Sequence, residues 1–184
     1  LAVPGWVTPG GEWTAQRAHR ADPSLVHALR REVRLPVFAR NAVDAIAIAD
    51  LRDSDPNLAA QASVVLDHPI GMGVIMAWRL PRSVHRPLAD TAHIVPCPPR
   101  PVCRECGHRC LEPQVQALHT DHSAAAVDLA AEALAGILAP IAGAFELEEL
   151  VLGAFPTPVI GDLARLTRAG LEQRMPAHLK IQLS

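Results

Sequence analysis

The stretch His93-Ile-Val-Pro-Cys97-Pro-Pro-Arg-Pro-Val-Cys103-Arg-Glu-Cys106-Gly107-His108-Arg109-Cys110-Leu111-Glu112 holds all four cysteines of the 184-residue chain, with a histidine ahead of them. His93, Cys103, Cys106 and Cys110 have spacings that a tetrahedral metal accepts. Zinc favours this donor set, because thiolates are soft donors and its closed d shell imposes no competing shape. The proline-rich run from Pro96 to Pro101 cannot form a helix, so it holds the loop open until a metal closes it. A structural zinc contributes about 10–16 kcal/mol of apparent binding energy in zinc-finger peptides, enough to organise an irregular loop. Four protein ligands leave no open coordination position, so a structural role is expected. Cys97 and His108 are alternative ligands, and merely adjacent buried thiols are the competing account.

Working outward, strands alternate with helices. Leu1 to Val3 reads as a strand ending at Pro4-Gly5, and Trp6 to Arg20 as a connection punctuated by Gly and Pro. Asp22-Pro23-Ser24 opens a helix that runs to Val33. Leu35 to Ala39 is short and apolar and predicts a buried strand, after which Asn41 caps a helix through Leu51. Ala62 to Leu66 and Gly73 to Trp78 predict paired strands joined by Asp67 to Met72. Glu112 to Leu118 and Ser123 to Ile141 predict helices, with Ser123 as a cap and Pro140 marking a late turn or boundary. Glu149 to Gly153 predicts a strand, Ile160 to Arg174 a helix and Leu179 to Leu183 a last strand. The pattern is that of an α/β protein.

Seventeen basic and nineteen acidic residues leave a formal charge of −2, scattered with no basic stripe, so these residues carry no nucleic-acid footprint of their own. The apolar stretch from Ala124 to Ala144 is interrupted by Asp128, Glu132, Gly136 and Pro140, which argues against a bilayer span, and no membrane partner is expected. Clustered thiols in a cysteine-poor chain fit a reduced, cytoplasmic setting with metal binding better than a disulfide framework. The opening Leu1-Ala2-Val3-Pro4-Gly5, without an initiating Met, reads as the interior of something longer.

The metal segment resembles the zinc motif of the ROK family (repressors, open reading frames and kinases), a Gly-His followed by Cys-x-Cys-Gly-x-x-Gly-Cys-Leu-Glu. His93, Cys103, Cys110, Leu111 and Glu112 match in register, whereas the middle cysteine falls one place later as Cys106. The resemblance extends to Ala2-Val3-Pro4-Gly5, to Leu35 through Asn41, to Gly71-Met72-Gly73-Val74-Ile75 and to Glu149 through Gly153. It implies the actin-like, ribonuclease-H-like ATPase fold of sugar kinases, here with the end of the first lobe (residues 1–48) and most of the second (residues 49–184, with the zinc loop at 93–112). No Gly-x-x-x-x-Gly-Lys-Ser/Thr loop and no intact Gly-x-Gly-x-x-Gly occur.

In ROK kinases the general base is the Asp that follows the strand-ending Asn. Here that pair is Asn41-Ala42, and an alanine cannot accept a proton. Asp44 is two steps along the helix, about 200° away from the side Ala42 faces. The family's Glu-x-Gly-His reads Asp90-Thr91-Ala92-His93, and its Gly-Gly near the nucleotide reads Gly153-Ala154. The resemblance therefore implies sugar contacts from Asn41, Asp90, His93 and Glu112 but no catalytic residue. The expectation is a sugar-sensing core of a ROK-type transcription regulator with structural zinc, reaching DNA through a region not in this chain and working as a homodimer or homotetramer. The competing expectation is a sugar kinase that uses ATP and Mg2+. Trp6, Trp13 and Trp78 are possible sugar-stacking surfaces, with core packing as the simpler reading.

Overall fold

The computed structural model describes residues 2–3, 6–7, 13–14, 21–22, 24–66, 70–81, 91–94, 102–104, 106–154, 158–175 and 179–183. Its centre is a four-stranded mixed sheet of β6 (Ala60–Leu66), β7 (Gly71–Met76), β8 (Glu149–Ala154) and β9 (Lys180–Leu183), in the order β7-β6-β8-β9. β6 and β7 are antiparallel, with Ser63 opposite Gly73; β6 with β8 and β8 with β9 are parallel, with Ala62 opposite Leu150. Side chains alternate faces along a strand. Ala60, Ala62, Val64 and Leu66 therefore join Ile70, Met72, Val74, Leu150 and Leu152 in one apolar layer. That layer is covered by α4 (Ala124–Ala144) and α5 (Ile160–Glu172), which approach so closely that a Cβ on Gly170 would lie 2.8 Å from the Cβ of Ala135.

The opposite face of the sheet receives α2 (Ala42–Asp50). Gly71 and Gly73 face it because nothing larger fits: a Cβ on Gly73 would lie 2.7 Å from the Cβ of Ala47 and 2.8 Å from the carbonyl oxygen of Val43, and one on Gly71 would strike the Val43 side chain. Before α2 come the parallel pair β1 (Ala2–Val3) and β5 (Arg40–Asn41) and the helix α1 (Ser24–Val33). α2 is continuous through Asp50 and crosses from residue 48 to 49 without a break.

Several expectations are corrected. Leu35 to Ala39 is not a buried strand: Leu35 and Phe38 are 66% and 72% exposed, and pairing starts only at Arg40. Apolar β-branched composition suggested a strand, but no ladder partner meets this segment among the described residues. Instead the Arg30 guanidinium donates to the Val37 carbonyl at 2.9 and 3.1 Å. The connection after Val3 contains three two-residue strands, β2 (Trp6–Val7), β3 (Trp13–Thr14) and β4 (Ala21–Asp22), forming an antiparallel ribbon too short to show a period. Gly71 and Met72 belong to β7 rather than to the turn before it, and β7 ends where Ala77 and Trp78 adopt φ of 46° and 62°.

Pro140 does not end α4, which continues to Ala144. A proline removes one N–H and crowds the carbonyl four residues back; here that residue is Gly136, and Ala142 beyond it is buried in the core. α4 is thus long and apolar enough to cross a membrane by length and composition. Ten of its residues are buried in this fold, so packing against the sheet and α5 accounts for its apolarity.

Candidate metal centre

The loop before α3 (Glu112–Ala117) folds so that four donors converge. Cys103-x-x-Cys106-Gly107 forms a tight knuckle: the Gly107 N–H donates to the Cys103 carbonyl at 3.0 Å, and the Cys103 N–H donates to the His108 carbonyl at 2.7 Å. Gly107 has φ 71°, a left-handed conformation that glycine adopts without a side-chain penalty. The His108 N–H points at the Cys106 sulfur, 3.4 Å away. Across from the knuckle, a single helical turn at Thr91–His93 brings up the imidazole, and the Leu111 N–H donates to the Ile94 carbonyl at 3.1 Å to tie the two segments together.

The ligand atoms of His93, Cys103, Cys106 and Cys110 all lie within 4.8 Å of one another, so this group can hold a metal ion. Cys106 Sγ is 3.7 Å from Cys110 Sγ, and Cys110 Sγ is 3.5 Å from His93 Nδ1. With Nδ1 turned to the sulfurs, Nε2 is the ring nitrogen left to face other partners. Burial pushes the Cys110 thiol up to about 12; the Glu112 main chain pulls it down, while the Cys106 and Cys103 thiols add to the rise. Several neighbouring thiolates need a cation between them, and binding one expels their protons.

Glu112 is buried, and its carboxylate is structural. Oε2 accepts the main-chain N–H of Ile70 at 3.2 Å, and Oε1 accepts from the Gln116 amide at 3.1 Å. Sequence reasoning missed both partners. Gln116 lies one helical turn away and could have been found by spacing, whereas Ile70 is 42 positions distant and leaves no local signal. Asn41 is 8% exposed and caps α2, its Oδ1 accepting the Val43 N–H at 2.8 Å. Ala42 is the first residue of α2, and the half-buried Asp44 lies in the same turn; burial raises the Asp44 pKa and the Arg40 guanidinium opposes the rise. The alternative ligand Cys97 and the expected sugar contact Asp90 lie outside the described residues, and the alternative ligand His108 is exposed. Trp78 is 49% exposed on its left-handed turn.

No sequence-family profile matches this chain, and no curated protein sequence does either. Solved structures do. A ROK family transcriptional regulator, a homologue of the E. coli MLC protein, superposes with a TM-score of 0.75 at 18% identity, over 99% of this chain and 57% of its own. The ROK hexokinase of Thermus thermophilus superposes at 0.73 with 21% identity, over 100% of this chain and 72% of the hexokinase. A ROK family glucokinase from Streptomyces griseus, in complex with glucose and AMPPNP, gives 0.63 at 18% identity, over 89% of this chain and 68% of its own. The chain therefore has the ROK fold, the actin-like architecture of sugar kinases, and spans 57% of the regulator it matches. Regulators and kinases share that architecture.

Proposed function

We propose that this chain is the effector-binding core of a ROK-type transcription regulator, a sugar-sensing and non-catalytic unit braced by one structural zinc. The observation that carries the reading is Ala42. At the head of α2, directly after the capping Asn41, stands a methyl group where a phosphoryl-transfer enzyme of this fold needs a carboxylate.

Zinc suits the donor set. Zn–S bonds of about 2.3 Å and Zn–N bonds of about 2.0–2.1 Å in a tetrahedron give S···S edges of about 3.8 Å and S···N edges of about 3.6 Å. The separations between Cys106 and Cys110 and between Cys110 and His93, 3.7 and 3.5 Å, agree with these edges. His93, Cys103, Cys106 and Cys110 would hold the ion, which supplies a cross-link between the thiol loop and the turn at Thr91–His93. Asn41, Asp90, His93 and Glu112 are the proposed sugar contacts. Carboxylate and amide oxygens accept more than one hydrogen bond, so the bonds to Val43 and Ile70 are compatible with hydroxyl contacts at Asn41 and Glu112.

In this scheme residues 1–48 close a first lobe and residues 49–184 form most of a second. A sugar in the cleft shifts the populations of lobe or subunit arrangements in a cytoplasmic homodimer or homotetramer. Operator affinity, exerted through a region outside these residues, changes by the difference in sugar affinity between the states.

The second reading is a sugar kinase using ATP and Mg2+, and the upward-shifted Asp44 in the first turn of α2 favours it as an unusual base. Full-length protein incubated with Mg-ATP and glucose, N-acetylglucosamine or N-acetylmannosamine decides between them. The regulator reading expects no phosphorylated sugar and a sugar-dependent change in DNA binding. Phosphorylation abolished by Asp44→Asn would establish the kinase.

A further inference from the structure

We infer that Cys106 is a peroxide-sensitive thiolate resolved by Cys110, so that the loop exchanges its metal ion for a Cys106–Cys110 disulfide. The three described cysteines are not equivalent. Cys103 and Cys110 are 3% and 0% exposed, whereas Cys106 is partly open to solvent. An oxidant therefore meets Cys106 first, and a metal-bound thiolate is already deprotonated, the nucleophilic form. Cys110 Sγ lies 3.7 Å from Cys106 Sγ, and a bridge needs closure to about 2.0 Å. The knuckle has room for that movement: among the described residues, its two chain neighbours aside, no atom lies within 4 Å of where a Cβ on Gly107 would sit, so the turn carrying Cys106 has open space on that side. Cys103 is held by two main-chain bonds, to His108 and Gly107.

The Cys106 thiolate attacks one oxygen of hydrogen peroxide, the O–O bond breaks, hydroxide leaves and Cys106 becomes a sulfenic acid. The Cys110 thiolate then attacks that sulfur, the S–S bond forms, the S–O bond breaks and a second hydroxide leaves. Two electrons pass from the sulfurs to peroxide, and two protons convert the hydroxides to water. His93 and Cys103 alone are too few ligands to retain the ion.

This inference rests on the zinc reading, so the metal content of full-length protein purified under reductant is measured first. Titration with hydrogen peroxide, with released zinc followed by a chromogenic chelator, is then combined with non-reducing peptide mapping. About one zinc per chain should appear together with a Cys106–Cys110 bridge, and dithiothreitol with added zinc should reverse both. Cys106→Asp, which keeps a fourth metal donor but has no sulfur to oxidise, should hold its zinc under the same peroxide. If that variant does not fold, the wild-type peptide map decides alone. Protein without zinc overturns the metal reading and this inference with it. Zinc-bearing protein that keeps its ion, forms a Cys103–Cys106 bridge or stops at sulfinic acid overturns this inference only.

Discussion

At the scale of single residues, two glycines and one aspartate carry the sharpest expectations. Gly73→Ala forces a methyl against the Ala47 side chain and the Val43 carbonyl, neither of which can rotate away. The variant should lose about 1–3 kcal/mol in urea denaturation, the range of overpacked cores. Gly71→Ala meets the Val43 side chain first, and a side chain can shift where a backbone carbonyl cannot, so it should be milder, and Val43→Ala should restore most of its loss. Asp44 is the pH probe. Its folded-state pKa is raised by burial, so its contribution to stability is fully present below the unfolded-state value and is lost as pH rises through the raised one. Asp44→Asn should therefore stabilise the protein at neutral pH and make no difference in acid, as read from melting curves between those limits. The cap at Asn41 was visible in sequence because its partner, the Val43 N–H, is two positions away. The structural role of Glu112 was not, because its partner at Ile70 belongs to a different strand connection.

At the scale of elements, local signals worked where an element's fate is decided within a few residues. Ser123 was legible as a cap, and its hydroxyl accepts the Ala126 N–H at 3.3 Å; Ser123→Ala should lower stability by about 1 kcal/mol in a denaturant titration. Pro140 was misread because helix propensity is a local quantity, while the buried side chains around it, Leu138, Ala139 and Ala142, are held by tertiary packing. Leu35 to Ala39 failed for the converse reason. Its composition is that of a strand, but a strand exists only where a ladder partner does, and the pairing of β1 with β5 starts at Arg40. Glu112→Gln tests the link between α3 and the start of β7. One oxygen becomes a donor facing either the Ile70 N–H or the Gln116 amide, and the unmet bond should lower stability by about 1–3 kcal/mol, measured by thermal melting.

At the scale of the whole molecule, the α/β class, the succession of the main strands along the chain and the four converging donors were legible, because periodicity and thiol spacing survive in one sequence; the order of the strands in the sheet was not. Which helix covers which face of the sheet was not, since that depends on Gly71 and Gly73 opposing a helix some thirty positions earlier in the chain. Stripping the metal with a strong chelator under reductant should lower the melting temperature by several degrees, and readdition of zinc should reverse the shift. No shift would mean that the thiol loop folds without an ion.

Ile70 through Gly73 is gripped from two directions, by a carboxylate anchored two residues beyond Cys110 and by a helix that begins at Ala42. Those few residues act as a short, stiff coupling rod. A shift of the Glu112 carboxylate, at the edge of the sulfur-bearing loop, would therefore be passed through the Ile70–Gly73 backbone to the first turns of α2.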